Sequence, residues 1–272
     1  MQGCGNDYIY VNALSETVAD PSGVSIRLSD RHFGVGGDGL VLIRPSDRAD
    51  FFMDMYNADG SRSEMCGNAI RCVGKYVYDR GLTDRTELTI ETLAGVKRLW
   101  LTVTDGAVSR VRVCMGAPDF RCEAIPVADD TPTFLRRTIE VCGEPWEISA
   151  VNTGNPHGVI FCADPAALDL ERIGPAFEHH EIFPERANIE FIQIVDRKTL
   201  RMRVWERGSG ETLAYGAGTC AAVAAAVEKG YCEAGRDVTV KFPGGDLVVN
   251  CTPERVLLTG GAFMACEGEF EY

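Results

Sequence analysis

The chain has 272 residues, a length that suits two ordinary domains with a full hydrophobic core. Its 40 acidic and 27 basic residues give a net charge of −13, which disfavours nucleic acid and anionic membrane surfaces as partners. No apolar segment approaches the roughly 20 residues that cross a bilayer, so we expect no membrane-spanning helix.

The cysteines indicate a reducing environment. They number 11, which is odd, contain no C-x-x-C pair and follow no apolar signal segment. We therefore expect reduced thiols in a cytoplasmic protein, and no structural zinc site.

Strand-like segments alternate with turn signals along most of the chain. In chain order they occupy residues 8–11, 40–43, 51–56, 87–92, 96–103, 108–115, 138–141, 146–152, 158–162, 189–195, 199–204, 237–242, 246–251 and 255–259. Helical periodicity is rarer. It predicts two main helices at 68–79 and 218–229, each followed by a glycine that ends it, and shorter helices at 22–28 and 165–173.

The second main helix consists almost wholly of Ala and Val. A helix that is apolar on all sides is buried, so we expect a sheet wrapped around it. Many strands and two central helices predict an α+β protein of two related, pseudo-symmetric lobes. We place the N-terminal lobe at 1–117, completed by residues 262–272, and the C-terminal lobe at 118–261, because the most loop-like stretch begins at Pro118.

Two segments resemble copies of one another. The first has YNADGS from position 56 and CGNAIRCV from position 66. The second has WERGSG from position 205 and YGAGTCAA from position 215. Asn57 stands nine positions before Cys66, and Glu206 stands nine positions before Tyr215. Each copy leads directly into a main helix, and the copies differ where one has a cysteine and the other a tyrosine.

A cysteine directly before a helix meets the positive end of the helix dipole, which lowers its pKa from about 8.5 and favours thiolate. The backbone N–H groups of Gly67 and Asn68 remain unpaired at the helix start and suit an anionic group such as a carboxylate. Gly216 and Ala217 offer the same cradle in the second copy. The structural alternative for Cys66 is a small buried apolar side chain.

If the two helix N-termini face each other across a pseudo-two-fold axis, residues 66 and 215 lie on opposite faces of one substrate carbon. That arrangement suits removal of a proton from one face and delivery of a proton to the other, which inverts a stereocentre.

Nucleotide cofactors are not indicated. The glycine-rich segment 34–39 lacks the G-x-G-x-x-G spacing, and no G-x-x-x-x-G-K-[ST] sequence occurs. Other segments combine glycine or proline with amide side chains, which is typical of turns but also suits a small polar ligand.

These segments carry a resemblance to a known family. The motifs are GCGNDY at 3–8, NADGS at 57–61, CGNAIRC at 66–72, GNPH at 154–157, FPERAN at 183–188 and ERGSGET at 206–212. In this order they resemble diaminopimelate epimerase. The resemblance implies two lobes, each a sheet around a central helix, with the active site in the cleft between them. It also implies that two cysteines interconvert LL- and meso-diaminopimelate without pyridoxal phosphate, metal or other cofactor.

The resemblance assigns roles residue by residue. It implies that Cys66 is one acid/base, that position 215 holds the other, and that His157 and Glu206 lie beside them and tune them. The implied substrate-binding positions are Asn6, Asn57, Gly67, Asn68, Asn155, Asn188, Glu206, Arg207, Gly216 and Ala217. Arg207 suits a bidentate carboxylate contact, and a solvated ion pair with Glu206 is its structural alternative. The expected partner is a small zwitterionic amino acid, and the resemblance suits a homodimer.

The chain departs from the family pattern at Tyr215, where the second cysteine is expected. A tyrosine hydroxyl has a reference pKa near 10, and its ring occupies more space than a thiol. Cys220 cannot replace that cysteine, because it lies within the helix, where we expect it in the core. We therefore expect strongly reduced or absent epimerisation, from an introduced substitution, a natural loss of activity or a divergent use of tyrosine.

Two further departures are smaller. Ala217 stands where the family usually has Ser or Thr. The chain also starts at the first glycine motif without the strand that usually precedes it, which fits an incomplete N-terminus.

Three other functions remain open from the sequence. One is racemisation of another amino acid, such as histidine, on the same scaffold. Another is non-catalytic binding of an amino acid, and the least favoured is a thiol hydrolase that pairs Cys66 with His157.

Overall fold

A computed structural model describes residues 1–269 of the chain. The chain divides into two compact units, one formed by residues 1–114 with those from 259 onward, the other by residues 115–258. The boundaries predicted from the sequence are 117 and 261. Residues 270–272 of the predicted C-terminal return lie outside the described residues.

The first unit contains a mixed sheet and two helices. Its helices are α1 (Pro21–Ser29) and α2 (Gly67–Asp79). Its strands are β1 (Gln2–Gly3), β2 (Asn6–Asp7), β3 (Ile9–Asn12), β4 (Gly39–Arg44), β5 (Phe51–Asn57), β6 (Arg62–Ser63), β7 (Glu87–Thr92), β8 (Gly95–Thr104) and β9 (Ala107–Gly116), which ends at the junction. β1 and β2 form a separate antiparallel pair, and β6 pairs with β5.

The second unit has the same kinds of element. Its helices are α3 (Leu170–Glu178) and α4 (Gly216–Glu228), with short 3₁₀ turns at Cys122–Ala124 and Pro165–Ala167. Its strands are β10 (Arg137–Val141), β11 (Glu144–Asn152), β12 (Pro156–Phe161), β13 (Asn188–Asp196), β14 (Thr199–Glu206), β15 (Gly210–Thr212), β16 (Asp237–Phe242), β17 (Gly245–Thr252) and β18 (Arg255–Gly260), in which the chain returns to the first unit.

The duplication seen in two short motifs extends through both units. Pairing runs parallel, antiparallel, parallel, antiparallel from β3 through β4, β5 and β7 to β8. The same sequence of pairings runs from β12 through β13, β14 and β16 to β17. α1 and α3 connect the first parallel pair of each unit, while α2 and α4 connect the second. The predicted α+β class with two related halves is confirmed.

The main helices lie against their sheets as their sequences predict. α2 is amphipathic, buries Ile70, Val73 and Val77, and contacts β1, β2 and β8. α4 is buried on nearly all sides against β11 to β13 and β17, with Cys220 fully buried as expected. Among residues 1–269, no helix is long and apolar enough to cross a membrane.

The predicted helix at 165–173 is wrong. A 3₁₀ turn ends at Ala167, and α3 starts afresh at Leu170, because the side chain of Asp169 accepts a hydrogen bond from Arg172 N and caps the new helix. α3 then continues through Gly174 and Pro175, although a Gly-Pro pair in a sequence usually predicts the end of a helix. Burial of its apolar face outweighs the local preference.

Gly174 tests how tightly α3 packs. A Cβ at this position would lie 2.3 Å from the indole ring of Trp205, which cannot yield as a flexible chain end would. We expect Gly174→Ala to lower the free energy of unfolding by about 1–3 kcal/mol, because overpacking outweighs the gain in helix propensity. Urea denaturation measures this. Gly268→Ala, where a Cβ meets nothing within 4 Å, is the matched control and should stay within about 0.5 kcal/mol. Equal stability of the two variants would contradict the packing.

Candidate active site

Cys66 is the N-cap residue of α2. Its backbone is extended, with φ −134° and ψ 123°, and its Sγ accepts a hydrogen bond from Ala69 N at 3.5 Å. Sγ also lies 3.3 Å from Asn6 Oδ1, to which the thiol donates. The thiol therefore lies at the positive end of α2, half-buried, with a polar partner on each side.

The amide of Asn6 is fixed by a charged network. Its Nδ2 donates to Asp38 Oδ2 at 2.6 Å, and Arg31 bridges the carboxylates of Asp38 and Asp7. Burial and the charge of Asp7 raise the pKa of Asp38, whereas hydrogen bonds from Arg31 lower the pKa of Asp7. Because an ionised carboxylate only accepts, Asp38 holds the NH₂ of Asn6 toward itself and leaves the carbonyl for Cys66.

The first turn of α2 suits an anion. Gly67 and Asn68 are buried, and their N–H groups belong to the first turn, which has no intrahelical acceptors. Arg71 is completely buried beneath this turn and donates to the carbonyls of Gly67 and Gly261 at 2.9 and 3.2 Å. Among residues 1–269, no group hydrogen-bonds to the buried Asn68 Oδ1. The turn thus combines a buried positive charge with polar groups that a ligand can satisfy.

Asn57 is the last residue of β5, and its amide is used locally. Nδ2 donates to Ser61 Oγ at 3.0 Å, and the backbone carbonyl accepts from Ser25 Oγ at 2.8 Å. These bonds fix the turn that precedes α2.

Tyr215 is the N-cap residue of α4, with φ −134° and ψ 115°, nearly the backbone geometry of Cys66. Its side chain makes no capping hydrogen bond to the helix. Instead the phenol Oη accepts a hydrogen bond from Asn155 Nδ2 at 2.6 Å. The ring also lies near the imidazole of His157, with centroids 5.7 Å apart.

The hydrogen bond at Tyr215 belongs to a longer polar chain. Asn155 Oδ1 lies 2.7 Å from His157 Nε2, and His157 Nδ1 lies 2.8 Å from Glu190 Oε1. The side chains of His157 and Glu190 are fully buried. Burial raises the pKa of Glu190, and the attraction of His157, which acts the other way, does not offset it.

Gly218 makes room for this chain in the first turn of α4. A Cβ there would lie 2.5 Å from Glu190 Oε1 and 2.8 Å from the ring of Tyr215. One residue earlier, the carbonyl of Ala217 accepts a hydrogen bond from Thr153 Oγ1 at 3.0 Å. Gly216 is buried and Ala217 half-buried, so their N–H groups form a second cradle like that of α2.

Asn188 joins two parts of the second unit. Its Nδ2 donates to the carbonyl of Pro156 at 2.9 Å, and its Oδ1 accepts from Arg207 N at 2.9 Å. The guanidinium of Arg207 donates to the carbonyl of Glu185 at 3.0 Å, and Glu206 accepts from Thr212 Oγ1. The structure thus gathers Asn155, Asn188, Glu206 and Arg207 around the ends of β12, β13 and β14.

Comparison with known proteins decides the family. The chain matches the family described as diaminopimelate epimerase over residues 1–121 and 149–264. The diaminopimelate epimerase of Acetivibrio thermocellus is 53% identical over 273 residues, covering 100% of this chain and 97% of that protein. That of Methanococcus maripaludis strain S2 is 50% identical, with 100% and 98% covered.

The chain belongs to the diaminopimelate epimerase family. This identification confirms the predicted isomerase class. A third family member, from Desulfovibrio desulfuricans, is 50% identical over 278 residues, with 99% of this chain and 96% of that protein covered.

Solved structures with low sequence identity share the fold. A hydroxyproline epimerase from Agrobacterium vitis has a TM-score of 0.69 at 16% identity, covering 96% of this chain and 87% of that one. A phenazine biosynthesis protein of the PhzF family from Bacillus anthracis has a TM-score of 0.68 at 19% identity, covering 96% and 92%. At these identities the likeness describes the fold alone.

Sequence reasoning missed the groups that hold the site amides in place. Asp38 lies in the glycine-rich segment 34–39, and Glu190 lies in the buried first half of β13 beside Ile189 and Phe191. The available signal was the carboxylate of Glu190 within the strand NIEFIQIVD, since a buried charge needs a partner.

Cysteine alkylation tests the environment of Cys66. In native protein we expect iodoacetamide to modify Cys66 and the exposed Cys142 and Cys266, but not Cys72, whose thiol is buried with a raised pKa. Asn6→Ala should accelerate modification of Cys66 about fivefold, because the lost bond favoured the neutral thiol by about 1 kcal/mol. Peptide mass spectrometry over a time course measures both. Asn250→Ala is the control with no expected change, because the Asn250 amide binds Gly235 and Asp237 in the second unit, and slower modification in Asn6→Ala would contradict the assignment.

Proposed function

We propose that the chain is a diaminopimelate epimerase whose second acid/base position is filled by a tyrosine, so that it inverts its substrate slowly or not at all. The observation that carries the proposal is the matched pair of N-caps, in which Cys66 and Tyr215 share one backbone geometry before α2 and α4. Each of the two positions precedes a cradle of buried N–H groups that suits a carboxylate.

The proposed reaction uses one group for each face of the substrate carbon. The Cys66 thiolate takes the α-proton, the electron pair delocalises into the carboxylate as an enolate, and the hydroxyl of Tyr215 delivers a proton to the opposite face. The reverse direction needs the Tyr215 phenolate as base. With reference pKa values of about 10 and about 8.5, phenolate is about 30-fold rarer than thiolate in equal surroundings at neutral pH.

Size and hydrogen bonding also support impairment. The NH₂ of Asn155 donates to the phenol Oη of Tyr215, and the Oδ1 of Asn155 is hydrogen-bonded to His157. Both ends of the Asn155 amide therefore already have partners within the protein. Asn155 is among the positions that we propose for substrate contacts, together with Asn188 and Arg207. A substrate that uses Asn155 must share or displace the bond to Tyr215.

Isotope exchange tests the unaltered protein. Each diaminopimelate stereoisomer is incubated in deuterium oxide, and α-deuteration and inversion are recorded separately. We expect deuteration of one isomer by Cys66, with inversion absent or far slower. Inversion as fast as deuteration would contradict impairment. Binding without any exchange would favour an amino-acid-binding protein, and exchange of histidine alone would favour a histidine racemase.

Substitution of residue 215 tests its role. We expect Tyr215→Cys to raise the rate of inversion about 30-fold or more, because a thiol is the stronger acid, supplies more of the anionic base at neutral pH and takes less space. Tyr215→Phe is the matched control, since it keeps the ring and removes only the hydroxyl, and it should abolish residual inversion while leaving exchange by Cys66. If Tyr215→Phe inverts as well as the unaltered chain, the hydroxyl is not an acid/base. If Tyr215→Cys gains nothing, even when combined with Ala217→Thr, the proposed reaction is wrong.

A further inference from the structure

Glu190 has no role in the reaction proposed above, yet its carboxylate is fully buried at the far end of the polar chain that leads to Tyr215. The chain runs from Tyr215 Oη through Asn155 and His157 to Glu190, with successive distances of 2.6, 2.7 and 2.8 Å. Among residues 1–269, no group hydrogen-bonds to Glu190 Oε2. A buried carboxylate with one oxygen unpaired is costly and calls for an explanation.

The protonation of His157 decides which way Asn155 faces. If Nε2 carries a proton, it donates to Asn155 Oδ1, and the NH₂ of Asn155 turns toward Tyr215. If Nε2 is bare, it accepts from the NH₂, and the carbonyl of Asn155 turns toward Tyr215 instead. The structure has the first arrangement, with Asn155 Oδ1 at His157 and Nδ2 at Tyr215.

The charge of the His157–Glu190 pair selects between these arrangements. A bare Nε2 places Nδ1–H beside Glu190, which is then either ionised, with one negative charge fully buried, or protonated on Oε2, where among residues 1–269 no group accepts the proton. A proton on Nε2 leaves the pair neutral as a whole, either as imidazolium with carboxylate or as imidazole with carboxylic acid. Because both side chains are completely buried, the neutral pair is favoured. The raised pKa of Glu190 agrees with retention of this proton.

We propose that Glu190 is a positioning residue that keeps His157 protonated at Nε2 and thereby holds the NH₂ of Asn155 toward the acid/base at position 215. As far as the reaction is concerned, this inference rests on the function proposed above. A hydrogen bond donated to an oxygen or sulfur favours its anionic form. Glu190 therefore lowers the pKa of the group at position 215 indirectly, through His157 and Asn155.

Nitrogen NMR tests the arrangement without substrate. Long-range ¹H–¹⁵N correlation spectra of labelled protein at neutral pH distinguish the two ring nitrogens, and the signals lost in His157→Gln identify His157. We expect Nε2 to be protonated. A bare Nε2 with protonated Nδ1 would overturn the proposal. Glu190→Gln should show both neutral tautomers of His157, because the amide of Gln can either donate to Nδ1 or accept from Nδ1–H.

Removal of the hydrogen-bonding group provides the second arm. In Glu190→Leu, Asn155 can satisfy Nε2 in either orientation, so both neutral tautomers of His157 should appear. Glu178→Leu is the matched control, because it removes another buried carboxylate of the same unit, one that binds Trp205 and Gly208 rather than His157. Its His157 signals should match those of the unaltered protein. If Glu190→Leu also matches the unaltered protein, Glu190 does not set the tautomer.

The pH dependence of kcat, measured in variants that also carry Tyr215→Cys, tests whether the hydrogen-bond arrangement at Asn155 affects catalysis. We expect Glu190→Leu to raise the pKa that governs the rise of kcat with pH by about one unit, the effect of one lost hydrogen bond of about 1.4 kcal/mol, while Glu178→Leu leaves it in place. An unchanged pH profile in Glu190→Leu would contradict the positioning role. If the NMR result holds but no variant exchanges any diaminopimelate isomer, the proposed function fails and the hydrogen-bond arrangement stands.

Discussion

The organising constraint in each unit is the N-cap of its main helix. A strand ends, a short turn follows, and the residue before the helix is held extended while the first turn presents N–H groups without intrahelical acceptors. Cys66 and Tyr215 satisfy this constraint with the same φ and with ψ values of 123° and 115°. The backbone is therefore fixed independently of the side chain, and the surrounding turns, glycines and amides are arranged about that fixed point.

What the side chain does at the N-cap depends on its length. The Cys66 sulfur turns back to the helix and accepts from Ala69 N, so the residue caps α2 in the ordinary way. The Tyr215 ring carries its oxygen beyond the helix start, where it meets Asn155 and lies beside His157. The loss of side-chain capping at α4 is tolerated because that helix is stabilised by burial on nearly every side.

The sequence predicts the repeated parts of the structure well, because the spacing of apolar residues and the turn residues that end each element are local signals. The predicted strands at 87–92 and 237–242 have the observed bounds, and the predicted starts of both main helices lie within two residues of the observed ones. The third helix was misplaced because Asp169 caps it after a 3₁₀ turn, a choice that depends on tertiary packing.

The site was predictable only in part. Motifs identify residues such as Asn6 and Asn155, but not the direction in which each amide faces. That direction is set by Asp38, 32 positions from Asn6, and by the His157–Glu190 pair, in which Glu190 lies 33 positions from His157. The His157–Glu190 contact follows from the pairing of β12 with β13, a long-range feature that local sequence patterns do not contain.

The amides of Asn6 and Asn155 present opposite ends to Cys66 and Tyr215, and the effect on the ionisation free energies of these two groups can be calculated. Asn6 offers its carbonyl to Cys66, which favours the neutral thiol, whereas Asn155 offers its NH₂ to Tyr215, which favours the anion. Reference pKa values of about 10 and about 8.5 make tyrosine the weaker acid by about 2 kcal/mol. A hydrogen bond to a charged acceptor exceeds one to a neutral acceptor by about 1 kcal/mol, so Asn155 recovers about half of that difference. In the proposed reaction, electrostatics alone would thus make Tyr215 a weakened acid/base rather than an inert side chain, and the bulk of its ring, together with the engaged amide of Asn155, would cause any further loss of turnover.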